Sequence, residues 1–254
     1  MPANSWVVCL RANTKARVRM FCFPYAGGGA AVYSTWTRAL QETIELYAIR
    51  PPGRESRLGE PPLMRISHYL APLVSALESL LDQPFVFFGH SLGAIVSFEV
   101  ARLLRKQQRP TPAGLFVSGS RAPHIPDPDP PIHQLREPAF TAELRRLNGT
   151  PEAVLQNEEL MQLLTPCLRA DFAAVDTYEY IAEPPLSCPI AAFGGLQDHK
   201  VERAQLAGWR EHTSSAFAQH MLPGDHFFLH SSQEALLQTL SRQLGQLLNG
   251  VAEI

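Results

Sequence analysis

The sequence is poor in the residues that make covalent or metal staples. Only 4 of its 254 residues are cysteine. Cys9, Cys22, Cys167 and Cys188 are dispersed with no C-x-x-C pair, which excludes a disulfide framework and a clustered zinc site. Reduced thiols in a cytoplasmic protein are the expectation. H-E-x-x-H and clustered carboxylates are absent, so no metal is expected. An excess of one charge is lacking as well: 22 basic residues against 24 acidic ones leave a net charge of −2. That balance offers no overall attraction to a phosphate backbone or an anionic membrane, and neither is expected as a partner. No apolar run approaches the roughly 18 residues of a membrane-spanning helix. The opening stretch MPANSWVVCLRANTKARVRM has no sustained apolar segment followed by a small-residue cleavage site, so no secretory signal is expected.

Proline, by contrast, is abundant, with 22 residues against 16 glycines. With 45% hydrophobic and 18% charged residues the chain is globular in composition and long enough for one large core. Short apolar runs at 6–10, 18–23, 45–49, 85–88, 115–118 and 190–193 read as strands, with 216–222 as a seventh. Several are nearly continuous, as strands covered on both faces should be. Ile66, Tyr69, Leu70, Leu73, Val74, Leu77, Leu80 and Leu81 recur at helical spacing. So do Leu236, Leu237, Leu240, Leu244, Leu247 and Leu248 in a closing helix, with Gly250 expected just past its end. The alternation predicts an α/β fold with a mostly parallel sheet and helices on both faces.

Residues 121–185 break the rhythm. The segment opens on APHIPDPDPPIH, which no interior strand or helix accommodates, and closes on Glu183-Pro184-Pro185. Between them lie helical stretches at 137–147 and from 158 to about 180. A helical insertion bracketed by prolines is either a cap over the site or decoration. The cap is favoured because ligand sites in parallel sheets lie at the carboxyl ends of strands, where insertions emerge.

The strongest chemical signal is Phe85-Val86-Phe87-Phe88-Gly89-His90-Ser91-Leu92-Gly93-Ala94, a buried strand running through G-x-S-x-G into a helix. The glycines allow a sharp reversal that holds Ser91 at the tip with its hydroxyl exposed. The N–H of Leu92, at the helix start, would face an oxyanion forming nearby. His226, in a loop after the last strand, is the expected base; His230 is the outsider and His90 is read as structural. The acid should lie between serine and base in the chain, and Asp198, after the strand at 190–193, fits. Asp225 is its rival, whereas Asp171 and Asp176 on the insertion are expected to face solvent. A second glycine cluster, Phe23-Pro24-Tyr25-Ala26-Gly27-Gly28-Gly29-Ala30, is neither a P-loop nor a dinucleotide fingerprint. A loop of this kind supplies a second backbone amide to pair with that of Leu92.

Together these segments resemble the external (type II) thioesterases of nonribosomal peptide and polyketide assembly lines, within the α/β-hydrolase fold. The likeness rests on FCFPYAGGGA (21–30), RPPGRESRLGEP (50–61), FFGHSLGA (87–94), FGGLQDHKV (193–201) and GDHFFL (224–229). The FPYAGG and PGRE pieces discriminate, because G-x-S-x-G alone is shared by very many hydrolases. The resemblance implies one domain over 1–254 with a mobile helical lid at 121–185, shaping an acyl chamber beside a phosphopantetheine channel. It implies Ser91 as nucleophile, His226 as base, Asp198 as acid, and an oxyanion hole from the Ala26 and Leu92 amides. Tyr25, Gly27 and Gly28 are the candidate substrate-binding residues. No cofactor is expected, since the substrate brings its own phosphopantetheine; the implied partner of this monomer is an acyl or peptidyl carrier protein. PGRE (52–55) has no role readable from the residues, and Arg54 as a carrier-facing cation is a guess. The rival activities are an esterase or acyltransferase on small esters and a medium-chain thioesterase on free acyl-CoA. A non-catalytic ligand-binding member of the fold would instead carry a damaged triad.

Overall fold

The computed structural model describes residues 5–40 and 42–251. Seven strands form one sheet: β1 (Val7–Arg11), β2 (Val18–Phe23), β3 (Ile44–Ile49), β4 (Phe85–His90), β5 (Gly114–Ser118), β6 (Ile190–Gly195) and β7 (Phe217–Leu222). Their order is β1-β3-β2-β4-β5-β6-β7, with β1 antiparallel to β3 and every other pair parallel. The α/β expectation is borne out, and all seven expected strands form with only their ends shifted.

The central strand β4 shows why a continuous apolar run was needed. Its alternate side chains serve opposite faces: Phe85 and Phe87 join one core, Val86 and Phe88 the other. The first core is roofed by helices α1 (Ile66–Leu77) and α2 (Leu92–Lys106). The helical segments between β5 and β6 comprise α3 (Ala139–Leu147), α4 (Glu152–Leu155) and α5 (Glu158–Asp176), which share a small core of Ile132, Phe140, Leu144, Leu155 and Leu168. Then come two short helices, α6 (Arg203–Ala207) and α7 (Phe228–Ser231), and the closing helix α8 (Gln233–Val251) against the second core. Gly250 therefore lies inside α8 and not past its end. A helical glycine costs only about 1 kcal/mol, which a helix anchored by buried Leu236, Leu237, Leu240 and Leu244 tolerates.

The topology decides where chemistry can occur. The chain runs from β2 outward to β3, then returns to β4 on the other side of β2, so the β2/β4 border is a topological switch point. Register aligns the carboxyl ends: Phe23 lies opposite Gly89, His90 opposite Ser118, and Gly195 opposite Leu222. The loops after β2, β4, β6 and β7 thus emerge on one rim, and they hold Ala26, Ser91, Asp198 and His226. No helix among the described residues is long and apolar enough to cross a membrane.

Candidate active site

Ser91 sits at the turn between β4 and α2 with φ 52° and ψ −116°, a conformation that costs a non-glycine residue about 1–3 kcal/mol. Close packing enforces it. A Cβ on Gly93 would lie 2.1 Å from the Phe23 carbonyl oxygen, so only hydrogen allows α2 to start this near β2. Gly93→Ala is expected to cost about 3 kcal/mol or more, because the obstacle is backbone that cannot rotate away. A thermal unfolding curve checks this; a melting temperature within about 2 °C of the parent would contradict it.

His226 and Asp198 meet across their two loops. His226 Nδ1 is 2.9 Å from Asp198 Oδ2, and the other carboxylate oxygen accepts from the amides of Lys200 (2.8 Å) and Val201 (3.2 Å). Burial alone would raise the Asp198 pKa. The hydrogen bond and charge of His226, with the two amides, outweigh it and hold the carboxyl below its usual range. An ionised carboxylate only accepts, so Nδ1 donates the ring hydrogen to Asp198. Asp225, the rival acid, instead caps the following turn: its oxygens accept from the Phe227 amide and from Asn148 Nδ2. His230 Nε2 pairs with the Tyr25 hydroxyl at 2.9 Å. His90 is fully buried with Nδ1 2.9 Å from Ser118 Oγ, and burial above all keeps its pKa well below the usual value, as a structural histidine requires.

The glycine loop after β2 is held from two sides. Asp171 of α5 is wholly buried, contrary to the expectation that it faces solvent. Its Oδ2 accepts from the Gly27 amide (2.7 Å) and Arg54 Nη1 (2.8 Å); its Oδ1 accepts from Arg54 Nη2 and the Tyr69 hydroxyl, both at 2.9 Å. Arg54, only 5% exposed, also donates from Nη1 to the Gly28 carbonyl at 2.8 Å. This corrects the guess that Arg54 meets a carrier protein: PGRE packs inward against the loop. Asp176 is also turned inward, accepting from His133 N at 3.0 Å with His133 Nδ1 2.7 Å away. Both aspartates found partners distant in sequence, which helical periodicity does not register. Gly27 has φ +79°, and a Cβ there would lie 2.5 Å from Leu168 Cδ2, so α5 also rests directly on this glycine.

A cavity of about 690 Å³ opens along this rim. Ser91, Leu92, Tyr25, Ala26 and His226 contribute to its wall, joined by Ile95 of α2, Phe172, Val175 and Asp176 of α5, and residues 119–127 after β5. Gly27 and Gly28 are not among the lining residues, and their amides are engaged by Asp171 and the Tyr25 carbonyl respectively. Asp198 lies behind His226, away from the cavity surface.

Residues 18–244 match the family described as Thioesterase domain. The chain belongs to the thioesterase family. It is 44% identical over 241 residues to the gramicidin S biosynthesis protein GrsT of Aneurinibacillus migulanus, covering 95% of this chain and 94% of that protein. It is 38% identical over 240 residues to the thioesterase PikA5 of Streptomyces venezuelae, covering 94% and 85% respectively. Among solved structures, the type II thioesterase BorB from the borrelidin biosynthetic cluster superposes with a TM-score of 0.86 at 33% identity, covering 96% of this chain and 98% of that one. The sequence resemblance to type II thioesterases is thus borne out. In this thioesterase the residues that sequence reasoning missed are Arg54 and Asp171. Two signals pointed to them: PGRE stood out with no role, and Asp171 falls one turn after Leu168 on the same helical face.

Proposed function

We propose that this thioesterase hydrolyses acyl or peptidyl thioesters carried on the phosphopantetheine arms of carrier proteins, clearing stalled or mis-primed groups in natural-product synthesis. The observation that carries the reading is the convergence of Ser91 and His226 on one cavity, with Asp198 holding the imidazole from behind. The kinship with GrsT, PikA5 and BorB favours this over an esterase or a thioesterase for free acyl-CoA.

In this reading Ser91 Oγ attacks the thioester carbonyl while His226 Nε2 takes its proton. The carbonyl π pair moves onto oxygen, where the amides of Ala26 and Leu92 meet it; Leu92 is the first residue of α2 and its N–H has no intrahelical acceptor. Collapse breaks the C–S bond, and the sulfur leaves with the proton held by His226. Water, deprotonated by the same nitrogen, then releases the acid and frees Ser91. Asp198 fixes the tautomer and stabilises the transient imidazolium. Segment 121–185 serves as the lid over the acyl chamber. Tyr25 contributes a wall of the substrate site, whereas Gly27 and Gly28 act by shaping the loop that presents Ala26. The phosphopantetheine belongs to the substrate, no bound cofactor takes part, and the enzyme works as a monomer in the cytoplasm.

One acyl group presented on a carrier protein, on coenzyme A and as a simple oxygen ester separates the possibilities. The carrier thioester is expected to show a kcat/KM at least about tenfold above that of the coenzyme A thioester, equivalent to about 1.4 kcal/mol of carrier contact. Equal values for the two thioesters would transfer the assignment to free acyl-CoA, and a preference for the oxygen ester would make the protein an esterase.

A further inference from the structure

We propose that Asp171 is a positioning residue that couples the seating of α5 to the geometry of the Ala26 amide, with Arg54 as its partner. The inference rests on the reading above, in which Ala26 meets the oxyanion. Asp171 Oδ2 grips the Gly27 N–H at 2.7 Å, immediately after Ala26. That bond fixes the Ala26–Gly27 peptide plane, leaving the Ala26 residue little freedom to rotate its own amide away from the cavity. Arg54 completes the clamp by holding the Gly28 carbonyl and both Asp171 oxygens from the opposite side. Glu55, the next residue, accepts from the Ala31 amide at 2.9 Å and steadies the far end of the loop.

The clamp has a mechanical consequence because of where α5 lies. Phe172 and Val175, on the same helix as Asp171, form part of the cavity wall. Leu168, one turn earlier, presses on Gly27. One rigid helix therefore touches both the space where an acyl group would lie and the loop that would stabilise its reaction. Withdrawal of α5 would release the Gly27 amide and let the Ala26 amide drift. Oxyanion stabilisation is then available only when the chamber is closed.

The test compares Asp171→Asn, Arg54→Lys and Tyr69→Phe with the parent enzyme. Tyr69 bonds only the Oδ1 side of Asp171, remote from Gly27, so Tyr69→Phe reports loss of network stability without freeing the loop. Each variant is assayed on an acyl-carrier thioester and with an acyl trifluoromethyl ketone. Ser91 Oγ adds to the ketone carbon, its proton passes to His226, and the carbonyl oxygen becomes an oxyanion in the hole. In Asp171→Asn and Arg54→Lys, kcat is expected to fall about 10- to 100-fold with KM changed less than about threefold, and the ketone Ki to rise by the same factor as kcat falls. Tyr69→Phe is expected to melt earlier yet keep kcat and Ki within about twofold. If Asp171→Asn does not fold, Arg54→Lys, which keeps the buried charge pair, carries the test. Lower melting temperatures with kcat and Ki at parent values would reduce the clamp to a structural role and overturn the inference alone. A parent enzyme in which the ketone fails to add to Ser91 would overturn the inference and the site assignment together.

Discussion

Ser91→Ala is expected to reduce hydrolysis of an acyl-carrier thioester by at least about 10³-fold, and by up to about 10⁶-fold if nothing else attacks the carbonyl. In the mechanism proposed above, the substitution removes the atom that would form the acyl-enzyme bond, while the two amides assigned to the oxyanion remain to assist slow attack by water. Alanine retains the Cβ, so the backbone strain at φ 52° is neither relieved nor worsened. Stability should therefore stay within about 0.5 kcal/mol of the parent, which separates a chemical defect from a folding one. Release of free thiol measures the first quantity, and a melting curve the second. A fluorophosphonate probe should label the parent at Ser91 and leave the variant untouched. Parent-like turnover by Ser91→Ala would sink the nucleophile assignment outright.

Arg54→Ala is expected to produce a large loss of stability, about 3–5 kcal/mol. Its partner Asp171 is wholly buried, so removing the guanidinium leaves a carboxylate with no countercharge and no route to water. The Gly27 amide and Tyr69 hydroxyl still donate to it, which places the expected cost in the lower half of that range. For a chain of this length each kcal/mol corresponds to about 2–4 °C, so the melting temperature should drop by about 6–16 °C. Arg145 and Glu152 provide the contrast: their side chains are 50% and 49% exposed, and Arg145→Ala should cost no more than about 1 kcal/mol. The double replacement Arg54→Met with Asp171→Leu should recover part of the loss, because both desolvated charges disappear together. Equal melting temperatures for Arg54→Ala and Arg145→Ala would show that the buried pair contributes nothing.

These two residues also mark how differently the sequence speaks about its parts. Ser91 was legible because its setting is local: a strand, a tight turn and a helix occupy consecutive positions, and two glycines declare the turn. His226 and Asp198 were legible by order and by their places after the last two strands. Which acid the imidazole meets was decided by the approach of the β6 and β7 loops, and Asp225 lost because one of its oxygens caps its own turn and the other accepts from Asn148. Arg54 and Asp171 were misread for one reason. Charged side chains are mostly exposed unless paired, and the pairing joins segments that no spacing rule connects.

Little cysteine, little net charge and no long apolar runs mark a globular α/β chain whose strands and turns follow from periodicity and glycine placement. That much is local or nearly so, because strand and helix periods are written in consecutive residues. The tertiary structure alone decided the cavity wall, the burial of Asp171, and the clamp by which PGRE and α5 hold the glycine loop. Each depends on desolvating polar groups against partners far along the chain, and that cost is met only once the sheet has brought those partners together.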